Sequence, residues 1–318
     1  MKEHYVPQSY LANFSDNRGQ IWVFDKSTRT PFKTHIKNIA CENDFYNIAV
    51  DSPDEPIAPL FVETHLSSVE GTFLEIIREV VSTVDKKGVF DTSYKEALAL
   101  LLWIQQLRTR ESRTYQVDVT DKMIEATQDW ISKAQLPEGK EVKLPDELEI
   151  PDETLSQVRM MFNQDFGREA VSVYLNEYIW TIGVNSKNMP LYTSDHPVVK
   201  DRRHKDPMIR EIAFPLTPTH ILVLTHQASL KNPEEFRDQI FPINTKGMNH
   251  FNSRQIFQCY RHIYCACKKF SFVRHISNKW PDWCDHDRPR VSEPIFIEQS
   301  DGMIIGTEML FYPEDCPY

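Results

Sequence analysis

The chain has 318 residues, 41% hydrophobic and 26% charged, with 36 Lys and Arg against 46 Asp and Glu and a formal net charge of -10. That field repels phosphate at long range and disfavours a long nucleic-acid duplex as partner, while a nucleotide or a short strand in a local basic groove stays compatible with it. No apolar run reaches the ~20 residues of a membrane helix, the start carries no charged-then-apolar leader, and six Cys in so long a chain make no disulfide framework; a cytoplasmic protein with reduced thiols and no membrane association is expected.

Residues 1–50 read as an extended, loop-rich segment. It opens on His4-Tyr5-Val6-Pro7-Gln8-Ser9-Tyr10-Leu11-Ala12-Asn13-Phe14, a cluster whose rings need a packing partner if the terminus is not to fray. Ile21 to Phe24 predicts a strand, Thr34 to Ile39 a second, and Phe45-Tyr46 an aromatic anchor. Ser52-Pro53-Asp54-Glu55-Pro56 reads as a linker or the start of a helix.

Across 56–178 the pattern is helical. Leu60, Val62, Leu66, Val69, Phe73, Ile76, Ile77 and Val80 recur every three or four residues. A helix from Tyr94 to about Thr114 is apolar nearly all round over Ala97 to Ile104, which places it in the core. It ends in Arg108, Arg110 and Arg113, and a more polar helix follows over about Val117 to Ala134. The stretch of about 135–152, rich in Pro, Glu and Lys, predicts an exposed connection. Helices resume near Pro151 to Gln164 and Glu169 to Tyr178.

From 179 to 318 strands dominate: Ile179 to Val184, Leu191 to Ser194, Ile209 to Phe214, His220 to Thr225 and Tyr264 to Cys267, with a helix over Thr245 to Gln258 and an apolar segment at Met303 to Ile305. Blocks of helix between blocks of strand predict a single α+β domain over 1–318, a central helical bundle packed with a small, mainly antiparallel sheet.

Four constellations carry candidate chemistry. Thr193-Ser194-Asp195-His196-Pro197 follows a strand, and Pro197 keeps His196 out of helical geometry. Asp195 is placed to ligate a metal or orient a proton-transfer group; the alternative is an Asx-type turn in which Asp195 bonds backbone amides and His196 is merely exposed. Glu63 and Glu70 stand two helical turns apart on one face, either as a catalytic pair or as an ion-pair network with Arg108, Arg110 and Arg113. Cys259, His262, Cys265, Cys267, Cys284 and His286 lack the paired knuckles that zinc selects, and Cys265 and Cys267 fit one buried strand face. His4, Gln8 and Asn13, with Tyr5 and Tyr10, are either a site or a satisfied, packed terminus. Trp280 and Trp283 offer a partner surface. A glycine-rich phosphate loop, a dinucleotide fingerprint and a Gly-x-Ser-x-Gly elbow are all lacking.

The opening His4 to Phe14, the following Ile21-Trp22-Val23-Phe24-Asp25-Lys26 and the Phe45-Tyr46 anchor resemble a bacterial family catalogued as domain of unknown function 4238. So do the Glu63 and Glu70 helix, Thr193-Ser194-Asp195-His196-Pro197, Phe214-Pro215-Leu216-Thr217-Pro218, and the Asn249 to Tyr264 segment, where Asn252 and Arg261 match polar positions. The resemblance runs from His4 to about His275. In that family the residue after the Asp is more often Asn than His, which favours Asp195 over His196. It implies no established activity.

The expectation is a polar cleft in which His4, Glu63 and Asp195 approach one another as catalytic groups, with Gln8, Glu70, Arg108, Arg110 and Asn252 binding the substrate. Carboxylates with a His suit a divalent metal and hydrolysis of a phosphodiester or nucleotide-type substrate, in a setting such as bacterial defence. The alternative is a non-catalytic binding or regulatory protein, or a nucleotide sensor.

Overall fold

The computed structural model describes residues 2–48, 61–133, 152–186, 189–202, 208–299 and 302–318. The chain begins with β1 (Lys2–His4), α1 (Gln8–Leu11), β2 (Gln20–Asp25), β3 (Thr30–His35) and β4 (Cys41–Asn43). Five helices follow: α2 (Phe61–Lys87), α3 (Lys95–Leu107), α4 (Arg110–Lys133), α5 (Glu153–Phe162) and α6 (Gln164–Glu177). Then come β5 (Tyr178–Val184), β6 (Thr193–Ser194), β7 (Val199–Asp201), β8 (Glu211–Pro215), β9 (His220–His226) and β10 (Ile240–Pro242). The last elements are α7 (Thr245–Gln258), β11 (His262–Cys265), α8 (Ser271–Lys279), β12 (Ile295–Gln299) and β13 (Gly302–Gly306).

The protein is α+β, as expected. Its strands form more than one small sheet. A five-stranded sheet runs β10-β5-β9-β8-β7, and a four-stranded sheet runs β3-β2-β11-β6. Pairing is antiparallel throughout both except for β10, which lies parallel to β5. The second sheet joins the N-terminal hairpin to strands more than 160 residues away, so the start of the chain is built in rather than frayed. Ile179, Trp180 and Ile182 of β5 are fully buried, the pattern of a strand covered on both faces. At Gly183 an added Cβ would come within 2.8 Å of both Ile221 and Phe241, so the neighbouring strands close in on bare backbone there.

Three expectations need correction. The strand of Thr34 to Ile39 ends at His35 as β3, and a single 3-10 turn takes over at Ile36–Asn38, capped by the His35 ring accepting from the Lys37 amide at 3.2 Å. The helix expected over Tyr94 to Thr114 breaks at Arg108-Thr109, into α3 and α4. Tertiary contacts set this break: Gln157 of α5, fully buried, donates to the Leu107 carbonyl at 2.7 Å and to the Thr109 carbonyl at 2.9 Å. Its oxygen accepts twice from Arg113, at 2.9 and 2.7 Å, which satisfies the buried amide. Thr109 then caps α4, accepting the Ser112 amide at 3.2 Å. Trp280 is buried in a cluster with Phe257 and Ile276 and donates to Asp315 at 2.7 Å, so it offers no partner surface. The connection expected at 135–152 lies outside the described residues but for Asp152, which caps α5; the linker at 52–56 lies wholly outside them. Among the described residues no helix is long and apolar enough to cross a membrane.

Candidate functional site

The N-terminal residues do find the α2 carboxylates. Arg108, 3% exposed, sits at the end of α3 and donates through Nη2 to the His4 carbonyl at 2.5 Å and to Glu70 Oε1 at 2.8 Å. The Tyr46 hydroxyl donates to the Arg108 carbonyl at 2.8 Å, and Glu3 accepts the Tyr46 amide at 2.6 Å. Burial works against the Arg108 charge, but Tyr46 and Glu70 outweigh it. Glu63 lies in the same field: burial pushes its carboxyl up, and Glu3 and Glu70 add to the rise. Burial lowers the His4 imidazole against the pull of Glu70, and Gln8 Nε2 reaches His4 Nδ1 at 3.5 Å.

His4, Gln8, Glu63, Glu70 and Arg108 are therefore neighbours, and what joins them is an ion pair that fastens β1 to α2 and α3. The cavity that Glu70 lines with Tyr10 and Gln105 holds about 10 Å³, the room of one water.

Asp195 is engaged elsewhere. It is fully buried, and its carboxylate accepts three backbone amides, from Tyr260 at 2.8 Å, Arg261 at 2.8 Å and His262 at 2.7 Å. Burial pushes this carboxyl up; the facing His262 and the amides oppose it. The group fixes the turn between α7 and β11. Asn252 is a similar fastener, accepting the Tyr192 amide at 2.8 Å and donating to the Pro190 carbonyl at 3.1 Å. Arg110 stands 3.6 Å from Glu42 and over the Tyr260 ring.

Of the carboxylates expected to hold a divalent metal, Glu70 and Asp195 are thus spent on other bonds. Among the described residues, the set of His, Cys, Asp and Glu whose donor atoms lie close enough to share one ion is Asp285, His286 and Asp287, all exposed. The carboxylates of Glu63, Glu70 and Asp195 do not come together closely enough to share an ion.

The α3–α4 break opens a different space. A cavity of about 350 Å³ lies between the end of α3, the first turns of α4, the segment from His196 to Lys200, the end of α7 and the C-terminal segment. Trp103, Tyr115, Met160 and Phe311 supply apolar walls. His196, read from sequence as the lesser partner of Asp195, lines it. Its Nδ1 shares a 2.7 Å hydrogen bond with Thr109 Oγ1, so the cap that starts α4 also orients the imidazole. Burial pushes this imidazole down to about 4, although Glu111 opposes the change, and the ring is neutral at pH 7.

Lys200 also lines the cavity, a group that sequence reasoning did not single out. The side chain of Gln258 grips its backbone, accepting its amide at 2.9 Å and donating to its carbonyl at 2.7 Å. Strand alternation sends Val199 into an apolar cluster and Asp201 to Arg254 at 2.9 Å, and turns Lys200 to the cavity. Burial alone pushes its ammonium down to about 8, and among the described residues Nζ has no hydrogen-bond or ion-pair partner.

The far wall is Arg288 and Arg290, both 4% exposed, which meet on Glu111 Oε1; the Arg290 contact is 2.9 Å. These guanidiniums overcome burial and hold the Glu111 carboxyl down. Arg290 also reaches Asp118 at 3.4 Å, a carboxyl that burial pushes up. Among the described residues, Arg288 Nε and Glu111 Oε2 are buried without partners. Three cations face two carboxyls here, so the cavity carries excess positive charge against the global negative sign.

Thr109→Val is expected to cost about 1–2 kcal/mol through the lost cap and to release the imidazole. Denaturant melts and the His196 NMR titration read both effects; unchanged curves in both would show that Thr109 holds neither.

This chain belongs to the family described as Protein of unknown function (DUF4238), whose model matches residues 2–269. No curated protein and no solved structure matches it. The matched span contains Glu111, His196, Lys200 and Gln258, while Arg288 and Arg290 lie beyond it.

Proposed function

We propose that this protein binds a small anionic ligand with a flat apolar body, of the nucleotide class, in the cavity between α3, α4, α7 and the C-terminal segment. The observation that carries the reading is the unpaired Lys200 ammonium turned into a 350 Å³ space beside Arg288 and Arg290 and walled by aromatic rings. An anion entering there relieves a charge that has no counter-ion among the described residues, and the rings cover its body. Binding without turnover, as in a sensor, needs nothing more. Hydrolysis of the same class of ligand is a second reading, favoured by the neutral, oriented imidazole of His196, which would act as general base on a water at the ligand phosphate.

Thermal shift against a panel of nucleoside mono-, di- and triphosphates tests the reading. A ligand at a hundred times its Kd stabilises by about 2.7 kcal/mol, a rise of several degrees for a chain of this length. The rise should vanish in Lys200→Met. No shift with any member of the panel, or a shift kept in Lys200→Met, would overturn it. Phosphate release measured on the same samples separates sensing from hydrolysis.

A further inference from the structure

We propose that Lys200 captures a carbonyl group: the cavity takes an aldehyde or ketone bearing a phosphate or carboxylate, whose anion lies against Arg288 and Arg290 and whose carbonyl carbon condenses with Lys200 Nζ. This rests on the cavity reading above and adds a covalent step to it.

An anion in the cavity meets the guanidiniums of Arg288 and Arg290 as well as Lys200, and Arg288 Nε has no acceptor among the described residues. Lys200 is of a different kind. Among the described residues its amine has no carboxylate partner, and its surroundings disfavour the charge, the circumstance in which a lysine becomes a nucleophile. Its position is fixed, because Gln258 holds both polar groups of its backbone. A proton carrier stands nearby: His196 lines the same cavity, feels the Lys200 charge, and is anchored through Nδ1 so that Nε2 is left without a partner among the described residues.

The step balances without an oxidant or reductant. Lys200 begins as an ammonium and passes one proton to His196 Nε2. The free amine adds to the carbonyl carbon as the carbon–oxygen π bond breaks. His196 returns its proton to the new hydroxyl, and the oxygen leaves as water, having taken two of the three ammonium protons. Ammonium and carbonyl thus become a protonated imine and water.

Pyridoxal 5′-phosphate is a suitable probe, since it joins a flat ring, a phosphate and an aldehyde. The full chain is incubated with it, reduced with borohydride and mapped by peptide mass spectrometry. One adduct is expected, at Lys200, formed about tenfold faster than at exposed lysines and slowed by inorganic phosphate. Pyridoxal without the phosphate should label Lys200 more slowly, a comparison that needs no variant. Lys200→Arg should lose the adduct. Label spread over surface lysines with Lys200 unmodified overturns the covalent step, and a nucleotide shift in that same sample leaves the binding reading standing. An adduct at Lys200 with no shift from any nucleotide supports the capture and overturns the nucleotide class instead.

Discussion

Lys200→Met should make the unliganded protein more stable at pH 7, by about 2–3 kcal/mol, while it removes anion binding. Burial pushes the Lys200 ammonium down from 10.5 to about 8. Below pH 8 the folded protein carries a charge that its surroundings disfavour, and a pKa lowered by one corresponds to about 1.4 kcal/mol. The side chain is partly open to the cavity, and solvent screening there places the gain in the lower part of that range. Methionine keeps the apolar stem and removes the charge. The sign with pH follows from linkage: between pH 8 and 10.5 the unfolded chain binds the extra proton, so the wild type gains stability as pH rises through that window. The advantage of Lys200→Met is therefore complete below pH 8 and gone above about 10.5. Urea melts of both proteins at pH 7 and pH 10 measure it. A variant less stable than wild type at pH 7 would mean that Lys200 makes a favourable contact in the folded protein.

Much of the architecture was legible because periodicity carries it. The stripe from Val62 to Val80 became α2, and the β-branched run from Ile179 to Val184 became β5. The break between α3 and α4 was not legible. Nothing in Gln105-Gln106-Leu107-Arg108-Thr109-Arg110 stops a helix by local chemistry; the interruption comes from Gln157, some fifty residues on, taking two carbonyls. The cavity depends on that break, so it stayed hidden with it. Its cationic groups also have no spacing to recognise, since His196 and Lys200 meet Glu111 and Arg288 only through the fold. The ion pair of Glu70 and Arg108 was foreseen as one of two readings, because a carboxylate on a half-buried helix face needs a cation. Asp195 drew attention for a sound reason, a carboxylate at a strand end. Bonding to backbone amides was the other of its two sequence readings, as a local Asx-type turn; the amides it takes are those of Tyr260, Arg261 and His262, distant in sequence, and only the fold brings them there.

Asp195→Asn should cost about 3–5 kcal/mol and lower the melting temperature by on the order of 10 °C. Three amides, of Tyr260, Arg261 and His262, converge on the two carboxylate oxygens. An asparagine keeps one oxygen and turns an N–H₂ group toward at least one of those N–H donors. That donor is left buried without an acceptor, and the two facing N–H groups repel. The loss falls on the turn that carries α7 into β11, and β11 is the strand that joins β2 to β6, so both the N-terminal hairpin and the His196 segment lose their common support. A catalytic aspartate predicts the opposite outcome, in which Asn preserves the fold and abolishes turnover. Calorimetry therefore separates the roles without an assay: a melting temperature within a few degrees of wild type would restore Asp195 as a reactive group, and a fall of the stated size assigns it to holding the backbone on which the cavity is built.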